Sequence, residues 1–163
     1  MIRRFLHRLR EMLAGGRRES ANSSPLPATP PPLTSRSAGA RTPLALAYVG
    51  DAVYELYVRV HLVEQENLTR NFQPTATNLV RASTQSRILG ALEPELTEEE
   101  LNVVRQGRNA NIGQIPKSAS MIDYRRATAL ECLFGYLLLE GREQRLMELL
   151  PMAVAEGRKP TDV

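Results

Sequence analysis

Residues 44–59, LALAYVGDAVYELYVR, decide the fold class. The run has no two-residue alternation, and Thr42-Pro43 ahead of it supplies an N-cap followed by proline at the first helical position. A helix is therefore predicted from residue 44 to about 63. Asp51 sits in the middle of this helix, flanked on both sides by small and apolar residues.

A second segment repeats the anomaly. Residues 127–139, ATALECLFGYLLL, form the most apolar helix pattern in the chain and carry Glu131. A carboxylate buried without a partner is costly, so such residues are usually paired or coordinate a metal. All nearby donors are hard oxygens. His7 and His61 are far apart in sequence, which argues against zinc and for magnesium or manganese. A helix cap or a buried ion pair to an arginine is the other answer.

Outward from these segments the chain stays helical. A helix is expected from Pro74 to about residue 92. Thr97 with Glu100 three residues on is a capping box opening another, which stops near Gly107. Residues 108–120, with Gly113 and Pro116, read as a loop. A helix starting near Met121 or Asp123 runs to about 140, where Gly141 ends it, and a last one spans about 143–155. With no strand pattern between turn signals, the domain is expected to be all-α. Cys132 lies in an apolar stretch and reads as a reduced, core-filling thiol.

Residues 1–41 differ in kind. Residues 1–14 have helical spacing of Ile2, Phe5, Leu6, Leu9 and Leu13 opposite arginines, and residues 15–41 are rich in Ser, Pro and Gly. The composition predicts a disordered, basic tail with a reach of roughly 35 Å. It holds eight Arg against two Glu, whereas residues 42–163 hold thirteen Lys/Arg against sixteen Asp/Glu. The net charge of +3 thus comes from the tail, and nucleic-acid binding by the domain has to rest on a local patch. No apolar run approaches the roughly 20 residues of a membrane span, and the N-terminus lacks a signal-peptide pattern. A cytoplasmic location without membrane contact is expected. The division is a tail over 1–41, a domain over 42–157 and a short C-terminal tail over 158–163.

Tyr48-Val-Gly-Asp51-Ala-Val resembles the signature Phe-Leu-Gly-Asp-Ala-Val of the ribonuclease III family, and Glu131-Cys-Leu-Phe-Gly-Tyr resembles its second acidic helix. The pattern is closer still to the short bacterial branch called Mini-ribonuclease III, through residues 44–59, Arg105-Gln-Gly-Arg-Asn-Ala110 and Pro116-Lys117. The similarity spans about residues 43–156 and, as in that branch, leaves no room for a C-terminal double-stranded-RNA-binding domain. It implies a homodimer of all-helical endonuclease domains that cleaves double-stranded RNA at a magnesium (or manganese) site. Precursor large-subunit 23S ribosomal RNA is the substrate that the branch implies. Asp51 and Glu131 match two of the family's four catalytic acids. The other two positions hold Ala47 and Thr128, which leaves the number of metal ions open.

Around these acids, Glu55 and Thr128 are candidates for groups supporting the ligands. The expected RNA contacts are Arg105, Arg108, Asn109, Lys117 and Arg125, within a cationic stretch over 105–126 that also holds Arg126. Double-stranded RNA is recognised by shape, phosphates and 2′-hydroxyls, which suits such side chains. The departures at Ala47 and Thr128 motivate an alternative, a non-catalytic RNA-binding or ribosome-associated protein on the same fold.

Overall fold

A computed structural model of the chain describes residues 41–65, 72–113 and 120–160. Within them every regular element is helical: α1 (Pro43–Gln65), α2 (Phe72–Leu79), α3 (Ala82–Leu92), a 3₁₀ turn (Glu93–Glu95), α4 (Glu98–Arg108), α5 (Met121–Leu139) and α6 (Glu143–Gly157). The expected tail over residues 1–40 and the site residue Lys117 lie outside the described residues.

Helix α5 is the axis of the domain, with α1, α3, α4 and α6 all packed on it. From Ala127 to Leu137 every residue is buried except Glu131, which is half-buried. A helix that is apolar all round is one surrounded by others. The core adds Tyr54, Leu62, Ile88, Leu89, Leu146 and Leu149, with the Tyr54 ring stacked 5.6 Å from Phe134.

Two glycines fix how α1 meets α5. A Cβ on Gly50 would lie 1.7 Å from the Glu131 carbonyl oxygen, and one on Gly135 would lie 2.0 Å from that of Leu46. Only bare backbones permit that approach. The crossing places Asp51, next to Gly50, near the turn of α5 that carries Glu131. The Cys132 thiol, fully buried, donates to the Pro43 carbonyl at 2.8 Å, so the reduced, core-filling reading holds.

The capping devices behave as read. Thr42 Oγ1 accepts from Ala45 N at 3.3 Å, and Thr97 and Glu100 form a complete capping box. Ser120, one residue ahead of the expected start, caps α5, and Gly141 (φ 70°) ends it while Arg142 N donates to the Leu137 carbonyl at 2.8 Å.

Two expectations need correction, the helix over 74–92 and the burial of Asp51. The single helix over 74–92 is two helices, because the backbone at Arg81 is extended (φ −62°, ψ 144°). The carbonyls freed there are taken by side chains: Leu79 O by the Tyr54 hydroxyl at 3.3 Å, and Val80 O by Gln85 Nε2 at 3.0 Å. Helix α4 ends at Arg108, near Gly107 as expected, and Gly107 is also a packing residue, since a Cβ there would lie 2.8 Å from Ala129 Cα and from Cys132 Sγ. Asp51 is exposed rather than buried. The apolar residues around it do not enclose it, because part of α1 turns an apolar face outward: Tyr48 is 84% exposed, and Leu44, Leu56 and Val63 are exposed with it. No helix among the described residues is long and apolar enough to cross a membrane.

Candidate functional site

Helices α1, α3 and α5 enclose a cleft of about 390 Å³, lined by Asp51 and Glu55 of α1, Gln85 of α3, and Tyr124, Thr128 and Glu131 of α5, with the Val80–Ala82 break at its wall. Each polar group reaches the cleft for a local reason. The glycine crossing sets Asp51 near Glu131. One helical turn carries α1 from Asp51 to Glu55, and α5 from Thr128 to Glu131. The break before Ala82 turns the first residues of α3, including buried Thr84, Gln85 and Ser86, toward α5.

The electrostatics are those of an unneutralised acidic pair. Burial, then repulsion by Asp51, pushes the Glu131 carboxyl up to about 7, and a hydrogen bond from Gln85 acts the other way. Asp51 is likewise raised, first by partial desolvation and then by Glu55, although the residue as a whole is exposed. Glu55 is ion-paired with Arg59 on its own helix, so that cation is engaged on the rim. Among the described residues no Lys or Arg pairs with Asp51 or Glu131. Among the described residues neither acid is therefore ion-paired, and both lie inside their helices rather than at a cap.

Thr128 is buried, and its hydroxyl donates to the Tyr124 carbonyl at 3.0 Å, leaving only its lone pairs toward other groups. Ala47, at the other position lacking an acid, is part of the core. Among the described residues no three His, Cys, Asp or Glu side chains are placed to hold a metal ion together. The donor set nevertheless fits magnesium, which keeps several waters and is held by one or two carboxylates together with substrate phosphates. Gln85 Oε1, buried with no hydrogen-bond partner, adds an unused oxygen acceptor at the same cleft.

The proposed RNA contacts among the described residues are not part of this cleft. Arg105, Arg108 and Asn109 are exposed at the C-terminal end of α4, on the helix that packs against another side of α5. Arg125 is half-buried, with its Nε enclosed and unpartnered. Arg126, counted in the cationic stretch, is instead structural: it pairs with Glu93 at 3.6 Å and donates to the Ser86 carbonyl at 3.3 Å. Sequence reasoning missed Gln85 and Tyr124. Their only signal is the polar run Ser83-Thr-Gln-Ser86 at the start of a helix that must bury one face, and it is weak.

The Ribonuclease III domain matches residues 44–142. The chain belongs to the ribonuclease III family of RNA endonucleases, in its Mini-ribonuclease III branch. Among the similar proteins, the Mini-ribonuclease 3 of Brevibacillus brevis is 45% identical over 122 residues, covering 74% of this chain and 91% of that protein. That of Symbiobacterium thermophilum is 46% identical over 112 residues, covering 68% of this chain and 86% of its own. A crystal structure of a Fusobacterium nucleatum protein matches with a TM-score of 0.66 at 26% identity, covering 74% of this chain and 98% of that one. The all-α ribonuclease III fold expected from the two acidic helices is thus shown by sequence family and by architecture together.

Proposed function

We propose that this chain is a magnesium-dependent endoribonuclease that hydrolyses double-stranded RNA, with Asp51 and Glu131 holding the ion. The observation that carries the proposal is Asp51 and Glu131 in one cleft, where burial and the Asp51 charge push the Glu131 carboxyl up and no Lys or Arg among the described residues pairs with either acid. When bound there, a divalent ion lowers the pKa of a coordinated water and neutralises charge on the phosphodiester as it reacts. The chain's own residues do the rest. Asp51, on the rim, meets ion and substrate first, while Glu131 anchors from within. Glu55 holds Arg59 at the mouth, and Thr128 offers lone pairs to the same space.

Arg105, Arg108, Asn109 and Arg125, with Lys117, are proposed to grip the duplex beyond the cleft through phosphates and 2′-hydroxyls. The outward apolar face of α1, centred on Tyr48, is of the kind that marks an interface, and it supports a homodimer with two such clefts. Precursor 23S ribosomal RNA in the cytoplasm is the proposed substrate, on the strength of the branch. Residues 42–157 are proposed as the catalytic unit, flanked by tails at 1–41 and 158–163.

The test is incubation of the purified chain with a labelled RNA duplex and with its separate strands, in magnesium and in a chelator, beside Asp51→Asn. Duplex cutting that needs magnesium and Asp51 is expected. Equal cutting by Asp51→Asn would remove the proposed role of that residue. Binding of the duplex without cutting under any condition would favour the non-catalytic reading.

A further inference from the structure

The break between α2 and α3 has an effect beyond topology. It brings Gln85, which is only 2% exposed, to the wall of the acidic cleft. Gln85 Nε2 donates to the Val80 carbonyl at 3.0 Å, and this contact fixes which end of the amide is which, since the reverse orientation would set two oxygens against each other. The same amide lines the cleft with Glu131 and draws that carboxyl's pKa down. Its Oε1 is left buried with no partner. A side chain kept only for packing would not leave a buried acceptor unmet, because that acceptor loses its water for nothing in return. Leucine or methionine would fill the space without that cost.

We propose that Gln85 is a positioning residue of this site: anchored on Val80, its amide holds the Glu131 carboxylate in one orientation for the metal ion, and its free Oε1 accepts a hydrogen bond from the ion's hydration water. This rests on the metal reading given above. A chain with two acids where its wider family has four depends more on the orientation of each, and a neutral amide supports Glu131 without competing for the ion. Outer residues that orient metal ligands typically change affinity 10–100-fold when removed.

Mn²⁺ binding to the full chain, followed by calorimetry in the absence of RNA, separates this from a packing role. Gln85→Leu and Gln85→Met keep the volume and remove both polar contacts. Each is expected to bind Mn²⁺ about 10–100-fold more weakly, with a thermal midpoint close to that of the parent in metal-free buffer. A folded variant that binds Mn²⁺ as tightly as the parent overturns the inference. Loss of the fold in both variants assigns Gln85 a structural role and overturns it as well. Should the unsubstituted chain bind no Mn²⁺, the metal reading itself falls, and that failure is recognisable because it appears in the parent.

Discussion

Glu100 and Glu131 are two glutamates held by the same small domain, and they have opposite fates. Glu100 is 1% exposed, yet every oxygen is met: Arg145 Nε and Nη2 reach it at 2.9 and 3.1 Å, and the Thr97 amide donates to it at 2.9 Å. Burial pushes its pKa up, but those hydrogen bonds outweigh burial and hold it below the ordinary value. Glu131 is less buried and has the reverse balance, with Asp51 repelling it and an uncharged amide as its helper. Burial alone does not distinguish a structural carboxylate from a functional one. The identity of its neighbours does: a fork of cationic donors closes a site, whereas a second acid leaves it waiting for a cation.

The largest effect that tests this contrast is a pair of substitutions. Glu131→Gln should lower duplex cutting by about a thousandfold or more, equivalent to roughly 4 kcal/mol of barrier, while leaving metal-free stability unchanged or raised. Glu100→Gln should do the opposite, retaining cutting per folded molecule and losing about 2 kcal/mol in urea unfolding. If both variants lose activity and keep stability, the distinction between the two glutamates fails. Next in size, Arg145→Ala strips the cationic partner from Glu100 and should cost about 2–3 kcal/mol, somewhat under the full loss of a buried pair because Arg145 is partly exposed.

A smaller effect appears in the pH dependence of the metal-free chain. Glu131 is raised from its ordinary 4.5 to about 7, so its folded form prefers the proton. Its contribution is fully present below 4.5 and is lost as pH rises through 7. Stability in a chelator should therefore increase by about 1–2 kcal/mol between pH 8 and pH 5, and Glu131→Gln should flatten that slope. Glu100 is lowered, so its contribution is present above 4.5 and lost as pH falls further. Unfolding midpoints across this range should thus rise and then fall on acidification. The smallest effect belongs to the exposed Glu55–Arg59 pair, where Arg59→Ala should change stability by less than about 0.5 kcal/mol. A larger loss would mean that the rim is more rigid than its exposure implies.

Much of this was legible in the residues. Caps at Thr42 and Thr97, the stop at Gly141 and the apolar run of α5 are local signals, and they gave α1, α4, α5 and α6. The two acids drew notice because they break an apolar pattern. What was not legible depends on residues far apart in sequence. The α2–α3 break is supported by Tyr54 reaching Leu79 across 25 positions, and no local pattern announces that. Asp51 appeared buried because the apolar side chains around it were read as core, when Tyr48 and Leu56 face outward. Arg126 counts toward the cationic stretch in sequence because sequence does not show Glu93 beside it. Gln85 carries no motif, and only the cleft gives it meaning.

The central claim is that Glu131 and Asp51 form the cation site that Glu100 and Arg145 do not need. The most direct measurement is the thermal midpoint of the full chain against magnesium concentration at pH 7.5, for the parent, Glu131→Gln and Glu100→Gln. A ligand that binds only the folded state raises the midpoint by mass action. The midpoint should climb with magnesium in the parent and in Glu100→Gln, and stay flat in Glu131→Gln. An equal climb in Glu131→Gln would contradict the account.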